Sequence, residues 1–138
     1  MTMYSVAMHW RRIRERYNLL GTRCNVCGKT YFPLRNICPN CRRDGKPVEV
    51  RFSGKGEVFT YTVIRYASEN FKSYVPYILG IVTLEEGPKV TSQIVDCDPD
   101  EISIGMPVEA CFRKLNDQGK EGIVCYGFKF RPINNILQ

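Results

Sequence analysis

CNVCGKTYFPLRNICPNC, residues 24–41, contains two CxxC pairs, Cys24 with Cys27 and Cys38 with Cys41, separated by the ten residues from Gly28 to Ile37. A CxxC turn brings two thiolates to one side of a tight bend. Two such knuckles facing each other supply four soft ligands in a tetrahedron, the arrangement Zn²⁺ prefers. With all four positions taken by sulfur there is no place for a water or a substrate, so the pattern predicts a structural ion and not a Lewis acid. A ribbon this short cannot bury a core of its own, and structural zinc supplies roughly 10–16 kcal/mol of apparent binding free energy in finger-sized peptides. Disulfides would need an oxidising compartment, and a dithiol redox site would need only one pair, set in a βαβ pattern absent here. Iron in the same four-thiolate geometry remains chemically open. Gly28 and Pro39 suit the knuckle turns around either metal.

The chain has 138 residues, 43% hydrophobic and 25% charged, room for the metal module, a small adjunct and one core-bearing domain. Its longest uninterrupted apolar run, Tyr77 to Val82, is far too short to cross a bilayer. Met1 to Met8 is short, of mixed polarity and precedes the first charges, so no signal peptide is expected and the location is read as cytoplasmic. In that compartment Cys97, Cys111 and Cys125 are expected to be reduced, small apolar residues. The net charge of +6 is unevenly placed. Up to Lys55 there are twelve Lys or Arg and three Asp or Glu, a balance of +9, whereas from Gly56 onward eight face eleven, a balance of −3. The basic N-terminal part thus calls for an anionic partner, either phosphates or an acidic protein surface.

Before the metal module, Met3 to Leu20 reads as an amphipathic helix. Val6, Trp10, Ile13, Tyr17 and Leu20 recur at helical spacing on one face, with Arg11, Arg12, Arg14 and Arg16 mostly on the other flank. Ser5 is placed to cap its start and Gly21 to end it. That apolar face packs either on this protein's own body or in another subunit, since Trp, Tyr and Arg are enriched at binding hot spots. His9 has no partner at ligand spacing and is expected at the surface. Within the ribbon, Thr22 to about Val50, Tyr31, Phe32 and Ile37 are expected to cover one side of the metal, and Asp44-Gly45-Lys46-Pro47 closes the module.

Beyond Val48 the pattern turns to strands: about 52–66, broken near its start by Ser53-Gly54-Lys55-Gly56, then 76–84, 89–96, 108–115 and 123–130. Ser68 to Val75 reads as a loop, Asp98-Pro99-Asp100-Glu101 as the first turn of a short helix, and Asn116 to Lys120 as a hairpin loop. Five strands with a helical turn between the third and fourth is the order of an OB-type Greek-key barrel. The expected fold is mainly β: an N-terminal amphipathic helix (1–21), a rubredoxin-like zinc ribbon (22–50) and a C-terminal five-stranded OB-fold barrel (51–138).

Catalytic apparatus is hard to find in the sequence. It holds one His, no GxSxG elbow, no Walker loop and no dinucleotide fingerprint. Cys97, Cys111 and Cys125 have no His near them in sequence to activate a thiol, and the acidic cluster Asp96, Asp98, Asp100 and Glu101 is what a turn at a helix start favours anyway. These features describe a binding or assembly protein.

Trp10, Tyr17, Leu19, Gly21, Arg23, Cys24, Cys27, Gly28, Phe32-Pro33 and Cys38-Pro39 with Cys41 lead into Ser53-Gly54-Lys55-Gly56, Val58, Thr60-Tyr61-Thr62, Pro76-Tyr77, Gly105-Met106-Pro107-Val108 and Phe130-Arg131-Pro132. In this order and spacing the chain resembles the zinc-ribbon plus OB-fold proteins that accompany thiolases in archaea and some bacteria, with Leu34 where many relatives carry a second proline. The resemblance implies a non-catalytic subunit associated with acyl-CoA chemistry, similar to the component that bridges acetoacetyl-CoA thiolase and hydroxymethylglutaryl-CoA synthase in the mevalonate route. Metal ligation falls to Cys24, Cys27, Cys38 and Cys41. For bound CoA or acyl-CoA, charge and aromatic character at strand ends select Lys55, Lys129 and Arg131 for phosphates and Tyr61 for the adenine or pantetheine arm. The alternative is a single-stranded nucleic-acid binder, which zinc ribbons and OB barrels can also be. The −3 balance of the barrel half counts against it, because a domain tracking a phosphate backbone should itself be basic.

Overall fold

A computed structural model describes residues 6–117, 122 and 124–133. The expected helix start with its Ser5 cap, and the hairpin tip at 118–120, lie outside these residues. The elements are α1 (Val6–Asn18), β1 (Leu20–Cys24), β2 (Thr30–Tyr31), β3 (Pro47–Arg51), β4 (Lys55–Ile64), a 3₁₀ helix (Glu69–Tyr74), β5 (Tyr77–Leu84), β6 (Lys89–Ile94), β7 (Pro107–Asp117) and β8 (Val124–Pro132). The 3₁₀ helix stands where a loop was expected. Asp98 to Glu101 forms no helix: a single turn closes with the Glu101 amide donating to the Asp98 carbonyl at 3.0 Å. Ile102, next in the chain, is buried in the core.

Two compact units divide the chain, 1–52 with 112–128, and 53–111 with 129–138. In the first, β1 pairs antiparallel with both β2 and β3. The helix ends earlier than expected because Leu19, at φ 48°, takes the left-handed position assigned to Gly21. Gly21 is already in β1, and it must lack a side chain for another reason: a Cβ there would strike the Phe52 ring and the Tyr31 carbonyl. Phe52 is buried with Leu19, Leu20, Cys24 and Cys38, and its amide donates to the Leu19 carbonyl at 3.2 Å.

The face α1 turns inward differs from the one its apolar spacing predicts. His9, expected at the surface, is 6% exposed, while Trp10 is 75% exposed. The Cys125 thiol lies 3.6 Å from His9 Nδ1, and Arg16 Nη1 donates to the same nitrogen at 3.4 Å. Tyr17 meets Phe112 edge-on, with ring centroids 4.9 Å apart, and Phe32 meets Phe128 edge-on at 5.7 Å. The far ends of β7 and β8 therefore supply the aromatic surface on which helix and ribbon rest.

In the second unit the strand order β4-β5-β6-β8-β7 closes into a barrel, with β7 returning antiparallel to β4 and β8 meeting β6 in parallel at Ile94 and Phe130. This is the five-stranded OB arrangement. Strand β5 shows why: its alternate residues Ile78, Gly80, Val82 and Leu84 are buried and those between them half-buried. Val58, Val90, Ile94, Ile102, Val108 and Phe130 complete the core. The glycines at the start of β4 serve the bend expected of them. Gly54 has φ 80°, and a Cβ on Gly56 would strike the Thr83 carbonyl. Phe130 is fully enclosed, so Phe130→Ala should cost about 3–5 kcal/mol by loss of burial and a residual cavity. Urea denaturation followed by far-ultraviolet circular dichroism measures this, and a change under 1 kcal/mol would show that the barrel core is not organised around this ring.

Candidate metal centre and ligand-facing residues

The four cysteines converge because the two knuckles have nearly the same backbone course. The Gly28 amide donates to the Cys24 carbonyl and the Arg42 amide to the Cys38 carbonyl, both at 2.8 Å. The residue after the second cysteine of each pair takes a left-handed conformation, Gly28 at φ 71° and Arg42 at φ 53°. Gly45 lets the closing turn pass, since a Cβ there would come within 2.6 Å of Cys38 Cβ.

All four sulfur atoms lie within 4.8 Å of one another, and Cys27 and Cys38 are 3.6 Å apart. A tetrahedron with Zn–S bonds of about 2.3 Å has edges of about 3.8 Å, so the donor set fits a zinc ion. Electrostatics point the same way. The Cys41 amide, aimed at Cys38 Sγ from 3.4 Å, pulls the Cys38 thiol down to about 6. Cys41 is pushed up to about 12, chiefly by its hydrogen bond with Cys27. Four sulfurs this close cannot all lose their protons without a cation to offset the repulsion, and a divalent metal provides it. Of the expected cover, Tyr31 is in place, its hydroxyl 3.7 Å from Cys38 Sγ. Phe32 turns instead to Phe52 and Phe128, and Ile37 is exposed.

The residues selected for CoA do not all gather at one place. Lys55 lines a cavity of about 400 Å³ whose wall also carries Glu57 and Glu85. Arg131 is held by Glu109, with Nε and Nη2 donating to one carboxylate oxygen at 2.9 and 2.7 Å, and that ion pair raises its pKa. Lys129 is 7% exposed and lines a separate cavity of about 230 Å³ with Tyr74, Tyr77, Asp96 and Cys97. Its ammonium lies 5.9 Å from the Tyr74 ring centre. Burial, with Glu101 and Asp98 nearby, raises the Cys97 thiol. Tyr61 lines neither cavity.

Sequence reasoning missed the pairing of Cys125 with His9, 116 residues apart. Nothing local could reveal it, because it depends on β8 reaching the helix. An imidazole nitrogen that already accepts from the Arg16 guanidinium is poorly placed to take a thiol proton, so the cluster anchors the helix and does not form a nucleophile with its base.

Comparison with known proteins follows the same division. Residues 11–47 match the rubredoxin-like zinc ribbon domain of ChsH2, and residues 49–113 match the C-terminal OB-fold domain of ChsH2. A DUF35 domain-containing scaffold protein of Methanocaldococcus jannaschii is 50% identical over 94% of this chain and 92% of its own length. This chain belongs to the DUF35 family. A DUF35 domain-containing scaffold protein of Methanothermobacter thermautotrophicus is 55% identical over 89% of this chain and 92% of its own. Among solved structures, an Ltp2-ChsH2(DUF35) aldolase chain superposes with a TM-score of 0.70 and 27% identity, covering 94% of this DUF35 chain and 95% of that one.

Cys38 is the most enclosed ligand together with Cys24. Cys38→Ser should reduce bound zinc from stoichiometric to trace by elemental mass spectrometry. The loss should strip hydrogen-exchange protection from 19–52 while leaving 53–111 protected. Simultaneous collapse of both segments would show that the ribbon does not fold as a unit of its own.

Proposed function

We propose that this chain is a non-catalytic subunit that assembles with thiolase and hydroxymethylglutaryl-CoA synthase-type enzymes and presents acyl-CoA between them. The observation that carries this reading is the full-length similarity, at 50% identity, to a protein named as a scaffold. The solved chain it resembles comes from a complex whose name joins a DUF35 protein to an aldolase, which supports an enzyme as the partner. The metal centre supports it as well, because a closed tetrahedron of thiolates stiffens a surface and offers no coordination site for a reaction.

In this reading α1 and the ribbon, with 112–128, meet the partner, and the barrel part of the chain, 53–111 with 129–133, meets the ligand. Lys55 and Arg131 stand near one another through Glu109, which is paired with Lys55 in the β4–β7 register and holds Arg131 by its carboxylate. A CoA phosphate reaching them would have to compete with that carboxylate. Lys129 with Tyr74 and Tyr77 offers a more enclosed cation beside aromatic rings, and Tyr61 supplies a further flat surface on β4. The protein acts in the cytoplasm. Among the described residues no helix is long and apolar enough to cross a membrane.

Mixing the purified chain with a thiolase and a hydroxymethylglutaryl-CoA synthase from the same source should give a ternary assembly by native mass spectrometry. Calorimetry should detect CoA binding weakened by Lys129→Ala, and the isolated chain should turn over no CoA ester. A lone monomer in the presence of both enzymes, or turnover by the pure chain, would refute the proposal.

A further inference from the structure

Trp10 is the only tryptophan of the chain and one of its most exposed large apolar residues. Val6, one turn before it, and Tyr17, two turns after it, share its side of α1. At Tyr17 the strip continues without a break. The ring meets Phe112 edge-on at 4.9 Å, Phe112 stacks on Tyr126 with centroids 5.6 Å apart and planes 11° from parallel, and Val124 lies two residues before Tyr126 on the same strand. All six side chains are exposed. Scattered exposed apolar residues need no explanation, but four aromatic and two aliphatic exposed side chains aligned along one side of α1 and onto β7 and β8 mark an interaction site.

The charge beside the strip identifies the occupant. α1 carries four arginines and a single carboxylate, Glu15. Arg14 is paired with Glu49, whereas Arg11 and Arg12 are exposed beside the strip. We propose that this strip is the docking face for the partner enzyme, whose matching surface is an apolar socket for Trp10 and Phe112 bordered by carboxylates. The inference rests on the scaffold reading above and adds which face of the chain makes the contact. A second copy of this chain fits poorly, because a two-fold interface would set arginine against arginine. Nucleic acid fits poorly too. Phe112 and Tyr126 each turn one face to the other, Tyr17 meets Phe112 edge-on, and Val6 and Val124 give a base no ring to stack on, so the strip is not a row of open stacking platforms.

The test uses the full chain with 5-fluorotryptophan at position 10, followed by ¹⁹F NMR during titration with the thiolase. The resonance should shift and broaden on binding. Trp10→Ala, which removes an exposed side chain and so leaves the fold intact, should raise Kd about tenfold or more. Arg11→Glu should weaken binding and flatten its dependence on salt. A complex that forms with the fluorine signal unmoved and Trp10→Ala binding unimpaired would overturn the face and leave the scaffold reading standing. Absence of any complex with the unaltered chain would overturn both. Concentration-dependent dimers abolished by Trp10→Ala, or a fluorine shift produced by an oligonucleotide and not by the thiolase, would assign the strip to another occupant and overturn the proposal.

Discussion

Four thiol groups held within 4.8 Å of one another compete over which may ionise, because they cannot all become thiolates without a cation to offset the repulsion, and much of the first unit is arranged around that constraint. The Cys41 amide draws the Cys38 thiol down, and the hydrogen bond with Cys27 drives Cys41 up. A divalent ion removes the competition and becomes the centre of a module that has few buried side chains besides the ligands themselves. The three short strands, the left-handed residues after each knuckle and the bare Cα of Gly45 can all be understood as means of bringing four sulfurs together.

The second organising relation is carried by β7 and β8. These strands begin and end as members of the barrel, yet their middle portion, 112–128, belongs with the helix and ribbon. Phe112, Cys125 and Phe128 meet Tyr17, His9 and Phe32 there. The helix is therefore fixed by its His9 and Arg16 side, and the side bearing Trp10 is left to solvent.

Much of this was legible in the residues. Two CxxC pairs with their spacing dictate the metal centre, and the short apolar run from Tyr77 marks a strand, whereas the alternating burial along it is set by the fold. The placement of Gly54 and Gly56 at a bend followed from their composition, and the five-stranded barrel from the strand pattern, although the helical turn expected between its third and fourth strands does not form. What was not legible depends on contacts distant in sequence. Helical spacing groups Trp10 with Ile13 and Tyr17 but does not say which edge of an apolar stripe is buried. His9 was misjudged because its partners come from the last strand and from its own helix. The cations chosen for CoA illustrate the same limit: charge at a strand end is visible in sequence, whereas Glu109 holding Arg131 and the burial of Lys129 come from neighbouring strands.

The sharing of 112–128 has a practical meaning for anyone who wishes to dissect this molecule. Cutting after Phe52, where the ribbon ends, would produce a fragment whose last two strands retain Phe112 and Phe128 but lose Tyr17 and Phe32, their counterparts in the first unit. Such a fragment would display freshly bared rings and invite precipitation. A circular permutant or an internal excision that shortens β7 and β8 together would respect the architecture better than any single scissor point.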